Sequence, residues 1–236
     1  MMPAETPATR LFVKLAPEKQ TRILQAAIGE FAHKGYASAS MNVVVDKAGI
    51  SKGALFNYFG SKEELFNYIY RMALEQTKDS LREVRDRSRE EDFFARLKGV
   101  MAAGLHFLQE HPQLARIYFR MIYAGDSPYR DEILRELHAE SLGFIKSLVV
   151  RGIQRGDLRK DLDPHLAAFV IQCVLDRFLQ ARYLEFLDSG PGFGLKTSTN
   201  SERWIQGIME MFQEGMRAPS SSRVRKAGRC SSQRRS

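Results

Sequence analysis

Few residues of this 236-residue chain have the types and spacing that bond-making chemistry needs. Its five histidines, His33, His106, His111, His138 and His165, include no pair four apart around a glutamate, the spacing that sets two imidazoles on one helix face about a zinc ion. Cys173 and Cys230 each stand alone, outside any redox or zinc pair, and Cys173 reads as a buried structural thiol rather than a sensor. Gly190-Pro191-Gly192-Phe193-Gly194 looks like a phosphate loop, but no strand pattern precedes it and no helix opens on its last glycine, so it reads as a linker. No enzyme, metal or cofactor is expected. The notable polar groups fall between Ser40 and Phe66: hydroxyls on Ser40, Ser51, Tyr58 and Ser61, an amide on Asn57, ammonium groups on Lys52 and Lys62. Their chemistry is hydrogen bonding and charge.

The elements that must carry these groups are short. Ser40 can cap a helix whose Val44, Val45 and Ala48 face inward, and Gly49 can take the left-handed conformation that ends it. Ser51 can cap a second helix through Lys52, Gly53, Ala54, Leu55, Phe56, Asn57 and Tyr58. Gly60 breaks the chain, and Ser61-Lys62-Glu63-Glu64 has the serine and glutamate three apart of a capping box for the next helix. Helix, turn and short helix is the plan of a helix-turn-helix DNA reader. Upstream, Pro17 opens a helix in which Ile23, Ala27 and Phe31 form a stripe to cover the two reading helices, with Gly35 ending it.

The run Ala48-Gly49-Ile50-Ser51-Lys52-Gly53, then Leu55-Phe56-Asn57-Tyr58-Phe59 and Ser61-Lys62-Glu63-Glu64-Leu65, resembles the DNA-binding domain of TetR-type bacterial transcriptional regulators. The resemblance implies that Lys52, Gly53, Ala54 and Asn57 lie at or beside the bases, Gly53 and Ala54 being small enough for close approach. Ser51 opens that helix, and Ser40, Tyr58 and Lys62 resemble the family's phosphate contacts. Phe56 stands where the family commonly has tyrosine, so one phosphate-bonding hydroxyl is missing. The resemblance further implies a homodimer on a palindromic double-stranded operator, released by a small apolar or amphipathic effector. The alternative is a helical ligand-binding or protein-interaction module with a vestigial helix-turn-helix.

Composition is consistent with this reading. Hydrophobic residues make up 44%, enough for a core, and no apolar run is long enough to span a bilayer. A bacterial cytoplasm, with no membrane partner, suits the two cysteines and the unremarkable N-terminus. The net charge of +8 is uneven: residues 1–66 hold 8 Lys/Arg against 6 Asp/Glu, residues 67–217 hold 22 against 22, and residues 218–236 hold 6 against none. The high isoelectric point therefore reports the tail, either a bystander or a non-specific arm on DNA.

The fold expected is all-α, about nine helices without repeats. A flexible arm over 1–16 leads into a helix-turn-helix domain over 17–66, whose last helix runs on to about 87. A helical ligand-binding and dimerisation domain follows over 67–217, then a disordered basic tail over 218–236. Within it Phe107, Tyr118, Met121, Ile122, Tyr123 and Phe144 form aromatic and methionine stripes that are core or the wall of an effector cavity, with Cys173 and Asp176 as further lining. Tyr118, Arg120, Tyr123 and Asp176 are its possible polar handles. The two last helices, with Phe169, Val170, Val174 and Phe178 on one and Trp204, Ile208, Met211 and Phe212 on the other, are the candidate dimer interface.

Overall fold

Three prolines set three helix starts. Pro17, Pro112 and Pro164 sit in the first turns of α2 (Pro17–Ser38), α7 (Pro112–Ala124) and α9 (Pro164–Tyr183), where a missing N–H is no loss and φ is already helical. Asp163 caps α9 by accepting from the N–H groups of His165 at 2.7 Å and Leu166 at 3.0 Å. The Leu166 and then the His165 N–H hold its carboxyl below the usual carboxylate range. The cap is thus present above the ordinary aspartate pKa and lost as pH falls through the lowered one.

The computed structural model describes residues 7–88, 90–125, 127–184, 187 and 199–218. Among them lie ten helices rather than the expected nine. The other seven are α1 (Pro7–Val13), α3 (Met41–Ala48), α4 (Lys52–Phe59), α5 (Lys62–Arg87), α6 (Phe93–Glu110), α8 (Arg130–Arg155) and α10 (Thr199–Met216). The extra helix is α1, which takes seven residues of the expected arm over 1–16. Seven residues are too few to show a period, and α1 forms because Phe12 enters the core completely. Gln20 ties its end to α2 by donating from Nε2 to the carbonyls of Val13 and Leu15. Residues 1–6, most of the glycine-rich linker and the tail from 219 onward, including Cys230, lie outside the described residues.

The chain divides into two compact units. One takes residues up to Glu83 together with Ala103–His138, and the other takes Val84–Ala102 together with Ala139 onward. In the first, Ile23, Ala27 and Phe31 are fully or almost fully buried against Val44, Ala48, Leu55 and Phe59, as their four-residue spacing requires. Phe12 packs at 4.7 Å between ring centroids from Phe59 and 5.4 Å from Tyr68. Gly35 turns the backbone out of helical geometry (φ 77°) inside α2, and a further turn carries the helix to Ser38. Helix α7 joins this core through Ile117, and Arg120 donates from Nη2 to the His33 carbonyl at 3.2 Å.

In the second unit, the N–H of Phe93 donates to Asp157 Oδ2 at 3.1 Å and that of Ala95 to Asp92 Oδ1 at 2.8 Å, so the first turn of α6 is capped twice. The carbonyl of Gly152 accepts from both Asp157 and Leu158, closing α8. Leu158 is fully buried, and a Cβ on Gly152 would stand 3.0–3.1 Å from Leu158 and Phe93. Leu158 also pairs by an isolated bridge with Arg217, next to the end of α10.

Replacing Phe12 by alanine should lower the stability of the first unit by about 3–5 kcal/mol in urea denaturation. A loss below about 1 kcal/mol would mean that α1 is not part of its core.

Candidate nucleic-acid interface

Each reading helix must have its ends satisfied before its outer face can be presented. Ser40 does not cap α3 with its hydroxyl, contrary to expectation. The cap comes from Glu30 of α2, whose buried carboxylate accepts from the Ser40 N–H at 3.0 Å. That leaves the Ser40 hydroxyl free of a capping duty. At the other end, Gly49 is left-handed (φ 63°, ψ 43°), as its place after Ala48 predicts. Arg22 donates from Nε to the Ala48 carbonyl at 2.8 Å, pinning that end to α2. Ser51 does cap α4, accepting from the Ala54 N–H at 3.1 Å. Ser61 accepts from Glu64 N–H at 3.0 Å, while its own N–H goes to the Phe59 carbonyl at 2.9 Å, so only half of the expected capping box forms.

On α4 the inward residues are Leu55 and Phe59, each about 1% exposed. Gly53 and Asn57, four apart, occupy the opposite face, and Ala54 and Tyr58, also four apart, lie on the flank, where Tyr58 packs against the core. Ser51, Lys52, Gly53 and Asn57 are exposed, while Ala54 and Tyr58 are half-buried. A Cβ on Gly53 would meet nothing within 4 Å, so the protein's own packing gives no reason for glycine there. Phe56 packs against the core, which shows why losing a hydroxyl there leaves the fold intact.

Two predicted contact residues carry partners within the protein. Lys62 donates from Nζ to the Ala37 carbonyl at 3.0 Å and stands 4.9 Å from the Tyr36 ring centroid. Burial, then Glu63, pushes the Tyr36 hydroxyl pKa up, so the ring under that ammonium stays neutral at ordinary pH. Lys19 stands 5.9 Å over the Tyr58 ring. Sequence reasoning missed Arg22, Glu30, Tyr36 and Lys19, because each acts on an element distant in the chain and no local pattern marks it.

The residues expected to line an effector cavity divide between core and surface. Met121 is buried with Tyr70, Leu74 and Ile133, and Tyr118 packs against that cluster. Met121 also lines a cleft of about 200 Å³, counting its solvent-open mouth, with Phe31, Tyr36, Phe66, Ile117 and Arg120. Phe107 packs on His111 at 4.7 Å between ring centroids, Ile122 and Phe144 are half-buried, and Tyr123 is 50% exposed. Asp176 is half-buried. Cys173 is exposed, which corrects the reading of it as a buried thiol.

The expected interface residues also divide. Phe178, Ile208 and Phe212 are buried within the chain itself and so leave the candidate interface. Trp204 and Val174 are half-buried. Phe169 (58% exposed), Val170 (43%) and Met211 (66%) remain outward, joined by Leu166 (63%). Leu166, Phe169, Val170 and Cys173 follow the three- and four-residue spacing of one helix face. No group of three or more metal-ligating side chains gathers among the described residues.

Residues 23–69 match the family described as bacterial regulatory proteins, tetR family, and residues 91–217 match the tetracyclin repressor-like C-terminal domain. The HTH-type transcriptional regulator YhgD of Bacillus subtilis is 29% identical over 154 residues, covering 65% of this chain and 78% of that protein. A TetR family transcriptional regulator from Chloroflexus aurantiacus is 29% identical with a TM-score of 0.67, over 89% of this chain and 99% of that one. The transcriptional regulator FadR from Bacillus subtilis, solved in complex with stearoyl-CoA, shares the fold at a TM-score of 0.65 and 18% identity, over 83% and 98% of the two chains.

Chemical denaturation should separate the two capping side chains, Ser51 and Glu30, from Ser40. Ser51→Ala should cost about 1 kcal/mol, and Glu30→Ala about 1–3 kcal/mol, because it strands the Ser40 N–H. Ser40→Ala should stay within about 0.5 kcal/mol of the parent; a cost equal to that of Ser51→Ala would return the capping role to its hydroxyl.

Proposed function

The chain belongs to the TetR family of bacterial regulatory proteins and is a helix-turn-helix transcriptional regulator, and from that premise we propose that it acts as a homodimeric repressor on a palindromic operator. The observation that carries the reading is the outer face of α4. It is exposed, capped at its start by Ser51, and bears a glycine that the protein does not need for its own packing. A helical glycine costs about 0.5–1 kcal/mol relative to alanine. Close approach of a duplex explains why that cost is tolerated at Gly53.

In this reading α4 enters the major groove with Gly53, Ala54 and Asn57 toward the base edges, and Lys52 at its first turn. Ser40, Ser51, Tyr58 and Lys62 face the flanking phosphates. Lys62 then trades its Ala37 carbonyl for a phosphate oxygen, exchanging a neutral acceptor for a charged one. An eight-residue helix reads few base pairs, so a two-fold pair of heads supplies the remaining specificity.

The pairing surface is the outward stripe of α9, Leu166, Phe169 and Val170, with Met211 and the half-buried Trp204 of α10. Side chains this apolar and this exposed are what a four-helix interface between two copies would cover. A small apolar or amphipathic effector, bound by the helical domain, releases the operator by favouring a state with wrongly spaced heads. The C-terminal family match and the ligand-bound FadR of the same fold support an effector. No helix among the described residues is long and apolar enough to cross a membrane, and we place the protein in the bacterial cytoplasm.

Selection from random duplexes should enrich an inverted repeat; enrichment of none would favour the vestigial-head alternative. Gly53→Ala should raise folding stability by about 0.5–1 kcal/mol while weakening that duplex by about tenfold. Lys52→Ala should lower the log–log salt slope by about one if its ammonium neutralises a phosphate. Phe169→Glu should yield monomers in sedimentation; a dimer of undiminished strength would move the interface elsewhere.

A further inference from the structure

Among the described residues of the second unit, a buried charge without a hydrogen-bond acceptor lies where α6, the end of α8 and the following turn meet. Arg96, one turn into α6, is only 6% exposed. Among the described residues its Nε and Nη2 have no hydrogen-bond acceptor. Burial pushes its guanidinium pKa down, and Arg151 and then Arg155 add repulsion that Glu91 only partly opposes. A buried guanidinium without a counter-charge is among the costlier features a fold can keep.

The surrounding groups do not resolve that cost. Asp157 Oδ2 already accepts from the Phe93 N–H at 3.1 Å and lies 3.7 Å from Arg155 Nε. Glu91 is exposed. Arg155 reaches the Glu90 carbonyl at 3.2 Å, and Arg151 turns back on its own helix, to the Ser147 carbonyl at 3.3 Å and the Ser147 hydroxyl at 3.2 Å. Arg96, Arg151 and Arg155, with Glu91, Asp157, Phe93, Leu148 and Gly152, line a cleft of about 190 Å³ including its open mouth. Three guanidinium groups face two carboxylates there, so one positive charge is left over, and a water accepting from the Arg96 N–H groups cannot offset it.

We propose that this cleft binds one oxyanion, a phosphate or carboxylate group, held side-on by the Nε and Nη2 edge of Arg96 with Arg151 swinging in from the rim. That edge presents two parallel N–H donors, the geometry that matches two oxygens of one anion. The anion supplies both the missing acceptors and the missing charge. Its source is either free phosphate or the anionic head of an amphipathic effector; the site stands independently of operator binding.

Thermal unfolding of the full chain tests this at fixed ionic strength, with chloride replaced by inorganic phosphate or by dodecyl phosphate below its micellar limit. An anion at about 100 times its Kd should raise Tm by roughly 5–10 °C. Arg96→Met should abolish the rise, Arg151→Gln should reduce it, and Arg203→Gln, an exposed control on α10, should keep it. A rise with inorganic phosphate assigns the site to a free anion, and a rise with dodecyl phosphate alone assigns it to a head group. In chloride, Arg96→Met should melt no lower than the parent, since it removes an uncompensated charge. The proposal is overturned if neither anion raises Tm above chloride, if the rise survives Arg96→Met, or if that variant melts far lower in chloride, which would reveal an internal partner.

Discussion

The reading head depends on the burial of one stripe of α2. Helices α3 and α4 have eight residues each, below the length at which an isolated helix persists in water. Their hydrogen bonds alone cannot hold them. Ile23, Ala27 and Phe31 supply the surface on which Val44, Ala48, Leu55 and Phe59 become buried. Each large side chain so buried stabilises by about 1.5–3 kcal/mol. The direction of α4 is therefore set by its inner face, which frees the outer face to carry a glycine, an amide and a lysine of low packing value.

Polar groups at the helix ends follow the same logic. Glu30 and Arg22, both on α2, satisfy the start and finish of α3, so the helix that covers the head also anchors it. Lys62 holds the Ala37 carbonyl beyond the main run of α2, at the first turn of α5. These tertiary bonds join α2 to α3 and to the start of α5, so a small rotation of α2 would be felt on both sides of α4. Arg120 of α7 adds a bond to the His33 carbonyl, giving the head a direct link to a helix of the same unit that comes much later in the chain.

Much of this was legible from local chemistry. Gly49, Ser51 and Pro164 act where their own backbone requirements place them, and the spacing of Ile23, Ala27 and Phe31 defines an inner face without knowledge of its partner. What was not legible is what depends on distance. Glu30 displaces Ser40 as a cap across ten residues, and Phe12 makes a helix of a segment too short to show periodicity. The residues expected at an interface show a different limit. Helices α9 and α10 are apolar on two faces, so composition alone cannot separate Phe178, Ile208 and Phe212, which pack within the chain, from Phe169, Val170 and Met211, which do not.

That two-faced character bears on how a weakly charged head can be specific. Residues 1–66 carry a net charge of only +2, so general attraction to the phosphate backbone is small unless the tail contributes. Affinity must then come from a few placed contacts, and Phe56 lacks the hydroxyl that would add one more. Two heads at the correct separation multiply those contacts, whereas heads at a wrong separation forfeit one set almost entirely. As the proposed dimer, a low-charge reader would be more sensitive to head spacing than a highly basic one. In the proposed dimer, a change of head spacing would weaken binding steeply, a response that strong electrostatic adhesion would blunt.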